Sequence, residues 1–266
     1  MELMSTIKTD DEIEAMRKSG QILATILECM QRESVPGLSP KDMARRAKQE
    51  LFRLGGEPVF LGFHGHPGAP DFPDIICISV NNEVQHAIPS NRPFVAGDVV
   101  NFDFGVRYEG MVTDAGISVC IGGDEYLRPD TKKLLEGTER ALYSGIDQVR
   151  DGCRVGDISA AIERTLKEYR LGIVHELVGH GVGHELHEDP EVPNYGRAST
   201  GPILRAGMTI AIEPITTLGS SNIIETHDGW TLLTADGSWS AQFEHTVLVT
   251  QKGCEILTTT SPTNLP

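Results

Sequence analysis

Ala96-Gly97-Asp98-Val99-Val100-Asn101-Phe102-Asp103 and Ala206-Gly207-Met208-Thr209-Ile210-Ala211-Ile212-Glu213 read as two versions of one device. In each, an Ala-Gly pair leads into an apolar, strand-like run, and a carboxylate stands six residues after the glycine. The following strand-like runs repeat the match: Asp114-Ala115-Gly116-Ile117-Ser118-Val119 in one half, Glu244-His245-Thr246-Val247-Leu248-Val249 in the other. Carboxylates are depleted in strands and are almost never fully buried without a partner. A single one would read as a strand with its acid turned to water. Four at matched places predict a pseudo-repeat whose halves face each other across one site. Like charges gathered there repel strongly unless cations neutralise them.

Outward from these runs, the order of elements recurs as well. Thr9 and Glu12 have capping-box spacing, and Ile13, Met16, Leu23, Ile26, Leu27 and Met30 recur at helical intervals until Pro36-Gly37. Ser39-Pro40 opens a second helix, with Met43, Ala47, Leu51 and Leu54 on one face and Gly55-Gly56 as its stop. Strand-like runs follow at 75–80, 99–106 and 117–121. The second half repeats this plan. One helix is predicted from about Thr131, another contains Ile158, Ile162, Leu166 and Tyr169 and is closed by Gly172, and runs follow at 209–215, 230–234 and 243–249. With no linker-like break, residues 1–258 read as one domain with halves at about 9–123 and 130–257. The Thr/Ser/Pro-rich segment 259–266 reads as a flexible tail.

Composition narrows the function classes. Lys+Arg 23 against Asp+Glu 38 gives a net charge of −15, which disfavours non-specific nucleic-acid binding and a polybasic membrane patch. No run approaches the ~18 apolar residues of a membrane span, and the first twenty residues contain no signal-peptide core. Cys29, Cys77, Cys120, Cys153 and Cys254 are scattered and form no C-x-x-C, against a disulfide framework or a thiolate zinc site. A reducing, cytoplasmic setting is expected.

Histidines supply the second signal. In Gly179-His180-Gly181-Val182-Gly183-His184-Glu185-Leu186-His187, three imidazoles fall within eight residues among three glycines, a pattern of ligands or acid–base groups rather than of filler. Four carboxylates and one imidazole suit hard or borderline divalent ions such as Mn, Fe(II), Co or Zn. So many anionic ligands can hold two ions about 3.5–4 Å apart, the arrangement of two-metal hydrolases.

These residues carry a family resemblance. His86-Ala87-Ile88-Pro89, Asn101-Phe102-Asp103, Asp114, Gly179-His180-Gly181-Val182-Gly183, His187-Glu188, Ile212-Glu213-Pro214 and Ser240-Ala241-Gln242-Phe243-Glu244-His245-Thr246 together resemble a type I methionine aminopeptidase. The metal pattern is shared with proline-directed relatives; the Ser240 run and Asp228-Gly229-Trp230-Thr231 point to methionine aminopeptidases in particular. The resemblance implies an α+β, pita-bread fold, with two helix-pair and antiparallel-strand halves arranged about a pseudo-twofold axis. It implies two divalent ions: Asp103 on one, Asp114 and Glu244 on both, His180 and Glu213 completing the second. Glu213 would also be general base, His187 would hydrogen-bond the scissile carbonyl, and His86 would contact the substrate backbone and assist the leaving amine. It further implies nascent polypeptide N-termini as substrates, transient ribosome contact and a monomer, and it allows a monovalent cation near Asn81 and Ser240.

The chain departs from the family pattern at several places. Ala87 stands where Gly is usual, Gly105 where Thr is common, Ala115 where a hydroxyl is frequent, and Leu186 where an aromatic precedes the second His. Residues 68–74 look like an insertion. The last two changes touch the side-chain pocket, whose expected walls are Phe63, Cys77, Leu186 and Trp230. Two alternatives stand beside this reading. A proline-directed peptidase would ordinarily carry a large N-terminal domain, yet only 85 residues precede His86. A non-catalytic relative would be expected to have lost ligands.

Overall fold

In the computed structural model, residues 7–65, 68–260 and 263–265 are described. The first helix, α1 (Asp10–Glu33), starts where the sequence signals it, with the Thr9 and Glu12 side chains each bonding the other's backbone N–H. In α2 (Pro40–Leu54), Ser39 and Asp42 form the same box, Pro40 fills the first turn, and Gly55 ends the helix in the left-handed conformation. The helix α3 spans Pro129–Ile146, and α4 spans Val155–Tyr169. Arg170, not Gly172, takes the left-handed turn after α4, at φ 52°. The helical pattern located the end but not the residue that makes it.

Each helix pair packs on its own antiparallel sheet. In the first half, Val99–Tyr108 lies at the centre. Met111–Cys120 is on one side, and Cys77–Val80 and Glu57–Pro58 share the other. In the second, six strands run in the order 263–265, 254–256, 245–249, 209–212, 179–181, 188–192. The expected tail therefore includes an edge strand, Thr263–Leu265. Two separate apolar clusters follow this division. One holds Leu23, Met30, Leu51, Phe102 and Phe104; the other holds Leu134, Leu142, Ile158, Ile162 and Val247. A third, around Phe60, Cys77, Leu186 and Trp230, draws on both halves.

The strands that carry the four carboxylates differ between halves. Asp103 and Asp114 lie inside long strands, and the second of these starts at Met111 rather than near Ile117. Glu213 and Glu244 lie at breaks, between Thr209–Ile212 and Ile215–Thr217 and between Ser240–Gln242 and His245–Val249. At the second break the halves are sewn together. Glu244 donates its N–H to the Gly116 carbonyl at 2.8 Å, and the Asp114 N–H donates to Thr246 Oγ1 at 2.9 Å while that hydroxyl donates to the Asp114 carbonyl at 2.7 Å. Among the described residues, no helix is long and apolar enough to cross a membrane.

Candidate metal centre and substrate cavity

Strand register brings the first two carboxylates together. Asp103 pairs with Gly116 and Gly105 with Asp114, so both side chains lie on one face as diagonal neighbours. The seam brings Glu244 to the same face. Register in the other sheet sets His180 opposite Ala211, two residues before Glu213. All five side chains expected to bind metal are buried, between 2% and 8% exposed. Ligand atoms of Asp114, His180 and Glu244 lie within 4.8 Å of one another. His180 Nε2 is 3.6 Å from Glu213 Oε1 and 4.0 Å from Asp114 Oδ2. Asp103 lines the same cavity.

Hydrogen bonding leaves one oxygen open on three of the acids. Gln85 Nε2 donates to Asp103 Oδ2 at 2.6 Å, and Gln242 Nε2 donates to Glu244 Oε2 at 3.0 Å. Asp103 Oδ1, Asp114 Oδ1 and Glu244 Oε1 are buried with no hydrogen-bond partner. Buried polar atoms are almost always paired, and three orphaned carboxylate oxygens facing one cavity fit a cation. His180 Nδ1 donates to the Gly181 carbonyl at 2.9 Å, which leaves its Nε2 lone pair directed at the acids.

The electrostatics agree with that fit. Burial raises Asp114 to about 7. Burial, joined by the charge of Asp114 and other acids, holds Asp103, Glu213 and Glu244 well above the ordinary carboxylate range. The imidazoles move the other way. Burial takes His180 down to about 3 and His86 to about 4, with His187 as a lesser contributor to both, and burial also lowers His187. Protein alone therefore offers protonated acids and neutral imidazoles, a set whose acids a divalent ion would ionise.

The acids form the floor of a cavity of about 810 Å³. His180 and His187 meet edge to face at 4.4 Å, and Phe63 packs on His187 at 5.5 Å. His86 lies 6.4 Å from the Trp230 ring and adopts φ 57°, an uncommon backbone state for a residue other than glycine. The four expected pocket walls, Phe63, Cys77, Leu186 and Trp230, line this cavity too. One departure from the family pattern has a packing reason: a Cβ on Gly105 would meet Phe60 Cε1 at 2.8 Å, so the aromatic ring occupies the space of a larger residue.

Several residues of the site carry no sequence signal strong enough to mark them. Gln85 stands just before the His86 motif and Gln242 inside the Glu244 motif, where the histidine and the acid draw the attention, although Gln242 lies only two residues before Glu244. Asn194, fully buried, donates to the Glu213 carbonyl at 3.0 Å, and no local pattern points to it. Phe60 and Phe72 also line the cavity, beyond the four expected walls.

Buried acids with open oxygens, a lone-pair imidazole and a substrate-sized cavity define a metallohydrolase class of site. The model of metallopeptidase family M24 matches residues 14–251. A methionine aminopeptidase from Aquifex aeolicus is 41% identical over 250 residues, covering 93% of this chain and 96% of that protein. Methionine aminopeptidase 1 from Bacillus subtilis is 38% identical, covering 96% and 99%. Among solved structures, a methionine aminopeptidase from Thermotoga maritima superposes with a TM-score of 0.91 at 39% identity, covering 96% of this chain and all of that one. A prolidase from Pyrococcus furiosus, 22% identical with a TM-score of 0.74, shares the fold. The chain belongs to metallopeptidase family M24, among its methionine aminopeptidases, and has their pita-bread fold.

Proposed function

We propose that this chain is a dinuclear, metal-dependent aminopeptidase that removes the N-terminal methionine from new polypeptides with a small second residue. The observation that carries the reading is one buried cavity in which Asp103, Asp114 and Glu244 each have a carboxylate oxygen without a hydrogen-bond partner and in which ligand atoms of Asp114, His180 and Glu244 lie within 4.8 Å of one another. Asp103 would hold one ion, Asp114 and Glu244 both, and His180 with Glu213 the second. Bound there, divalent ions polarise the scissile carbonyl and lower the pKa of water. Co, Mn, Fe(II) and Zn all suit the donor set.

The remaining steps belong to side chains. Glu213, whose burial favours the protonated form, is well matched to accept a proton from the attacking water. His187 opens to the cavity and, as a neutral imidazole, can donate to the carbonyl oxygen as negative charge grows on it. His86, neutral at physiological pH, would contact the substrate backbone and pass a proton to the departing amine. Phe63, Cys77, Leu186 and Trp230 would wall the slot for the methionine side chain, where a thioether gains from aromatic contact. The reading includes a monovalent cation near Asn81 and Ser240, where the Ser240 hydroxyl lies 3.1 and 2.9 Å from the Asn81 and Glu83 carbonyls that accept from it. Transient contact with the ribosome, a monomeric state and a cytoplasmic location complete the reading.

Metal analysis of the purified protein, combined with turnover of Met-Ala-Ser and of a Met-Pro peptide, tests it. Up to two ions per chain and release of methionine from Met-Ala-Ser are expected. Metal-loaded protein that releases no methionine would overturn the activity. Preference for the bond before proline would favour the proline-directed alternative.

A further inference from the structure

Residues 68–74, Gly-Ala-Pro-Asp-Phe-Pro-Asp, run along the surface with Gly68, Pro70, Asp71 and Pro73 exposed, yet the segment turns Phe72 inward to line the cavity. Phe72 is only 2% exposed. Its ring meets Trp230 edge-on at 5.1 Å and Phe60 edge-on at 6.4 Å. Its backbone is locked as firmly as a ladder position: Gly62 donates to the Phe72 carbonyl at 2.9 Å, and Phe72 donates to the Phe63 carbonyl at 3.0 Å. Two residues earlier, the Pro70 carbonyl accepts the Trp230 indole N–H at 2.8 Å. The Pro70 ring lies so close to residue 229 that a Cβ there would meet Pro70 Cδ at 3.0 Å, so Gly229 is the residue that lets the two segments touch. Prolines at 70 and 73 stiffen the segment on both sides of the phenylalanine.

The segment therefore holds three cavity-lining aromatics in one arrangement. It supplies Phe72, fixes the Trp230 ring through its nitrogen, and ties down the backbone at Phe63. Aromatic pairs with this edge-to-face geometry resist sliding, and closely packed walls transmit a change of even one methylene. Resting on the aminopeptidase reading above, we propose that segment 68–74 is a specificity element. Through Phe72 it closes the end of the side-chain slot, so that an unbranched residue of methionine's size is accepted and a bulky aromatic first residue is rejected.

The test compares wild type with Phe72→Ala and the milder Phe72→Leu. Values of kcat/KM for Met-Ala-Ser and Phe-Ala-Ser are measured on the same preparations. Calorimetric binding of free methionine and phenylalanine reads the slot without any turnover. Shortening Phe72 is expected to lower the Met:Phe ratio tenfold or more in the alanine variant and by a smaller factor in the leucine variant, with both assays moving together. A purely structural role would lower turnover of both peptides equally and leave the ratio alone. Ratios within twofold of wild type in both variants overturn the proposal. If wild type releases no methionine at all, the aminopeptidase reading falls, and the ratio of the two binding constants still decides the role of Phe72. If Phe72→Ala does not fold, Phe72→Leu decides, with a threefold change as the threshold.

Discussion

Asp114→Asn should stabilise the metal-stripped protein at neutral pH, although it removes a residue expected to hold both ions. Burial raises the Asp114 carboxyl to about 7 in the folded chain, against about 3.9 when unfolded. Between those values the folded state keeps a proton that the unfolded state has lost. The unfolded state then binds fewer protons, so stability falls as pH rises. The loss starts near the unfolded pKa and is complete above the folded one. At 1.36 kcal/mol per pH unit it amounts to roughly 4 kcal/mol. Asparagine does not titrate and escapes the loss. The variant should therefore exceed wild type by about 1 kcal/mol at pH 4.5 and by about 4 kcal/mol at pH 7.5, relative to strongly acidic solution. For a chain of this size that is a gain of roughly 8–16 °C in Tm at the higher pH. The lowered imidazoles, His86 and His180 among them, titrate in both proteins, so their opposite contribution cancels in the difference. Asp103, Glu213 and Glu244, which the Asp114 charge pushes up, are relieved in the variant and move the difference in the same direction. Urea unfolding of both proteins in chelator, at four or five pH values, measures it. Excess Mn or Co should reverse the order, because only wild type would bind the ions with its full ligand set and gain stability from them. A difference that stays flat or shrinks between pH 4.5 and 7.5 would refute the burial argument.

Three further outcomes follow from the structure. Lys8→Met should cost about 3 kcal/mol by thermal melting, because Lys8 Nζ lies 2.6 Å from Glu188 Oε2 with its side chain fully buried; Glu188 keeps the backbone N–H groups of His184 and Glu185, so combining it with Glu188→Gln should recover part of the loss. His187→Ala should leave metal content near the wild-type value while kcat for Met-Ala-Ser falls ~10²–10³-fold; loss of metal with unchanged turnover per bound ion would contradict this. Gln85→Val removes the 2.6 Å hydrogen bond to Asp103 and should weaken metal binding by roughly 10- to 100-fold in a calorimetric titration, with the melting profile of the stripped protein little changed.

Much of this arrangement is legible in the chain. The caps at Thr9 and Ser39 and the apolar spacing of the helices are local signals, and the helices form where those signals lie. The matched carboxylates announce one shared site because acids within apolar strands become buried only where something neutralises them. What escapes reading depends on contacts between distant residues. Arg170 adopts a glycine-like turn that the sequence assigns to Gly172. The strand at Met111–Cys120 begins earlier than its apolar run, because pairing with Val99–Tyr108 carries it through Thr113 and Asp114. Gln85 and Asn194 gain their roles only from what faces them, a carboxylate in one case and a backbone carbonyl in the other. Phe72 sits in a proline-rich stretch that reads as surface loop, and only its contacts with Phe60 and Trp230 reveal a buried wall.

The seam at Gly116 and Glu244 makes this molecule a kind of caliper. Asp103 and Asp114 are fixed to one jaw, and His180, Glu213 and Glu244 to the other, each jaw stiffened by its own apolar cluster. A polypeptide cut between the jaws, in the stretch before α3, would leave two fragments, each with a core of its own and neither with a complete set of donors. Their reunion would have to precede the capture of an ion, since the closing of the jaws, held by the seam and the apolar cluster shared between the halves, is what creates the binding distance. Ion affinity in the intact chain is then a gauge of alignment. A substitution far from the cavity that tilts one jaw by a fraction of an ångström would register first as a weaker hold on metal, before any melting curve moved.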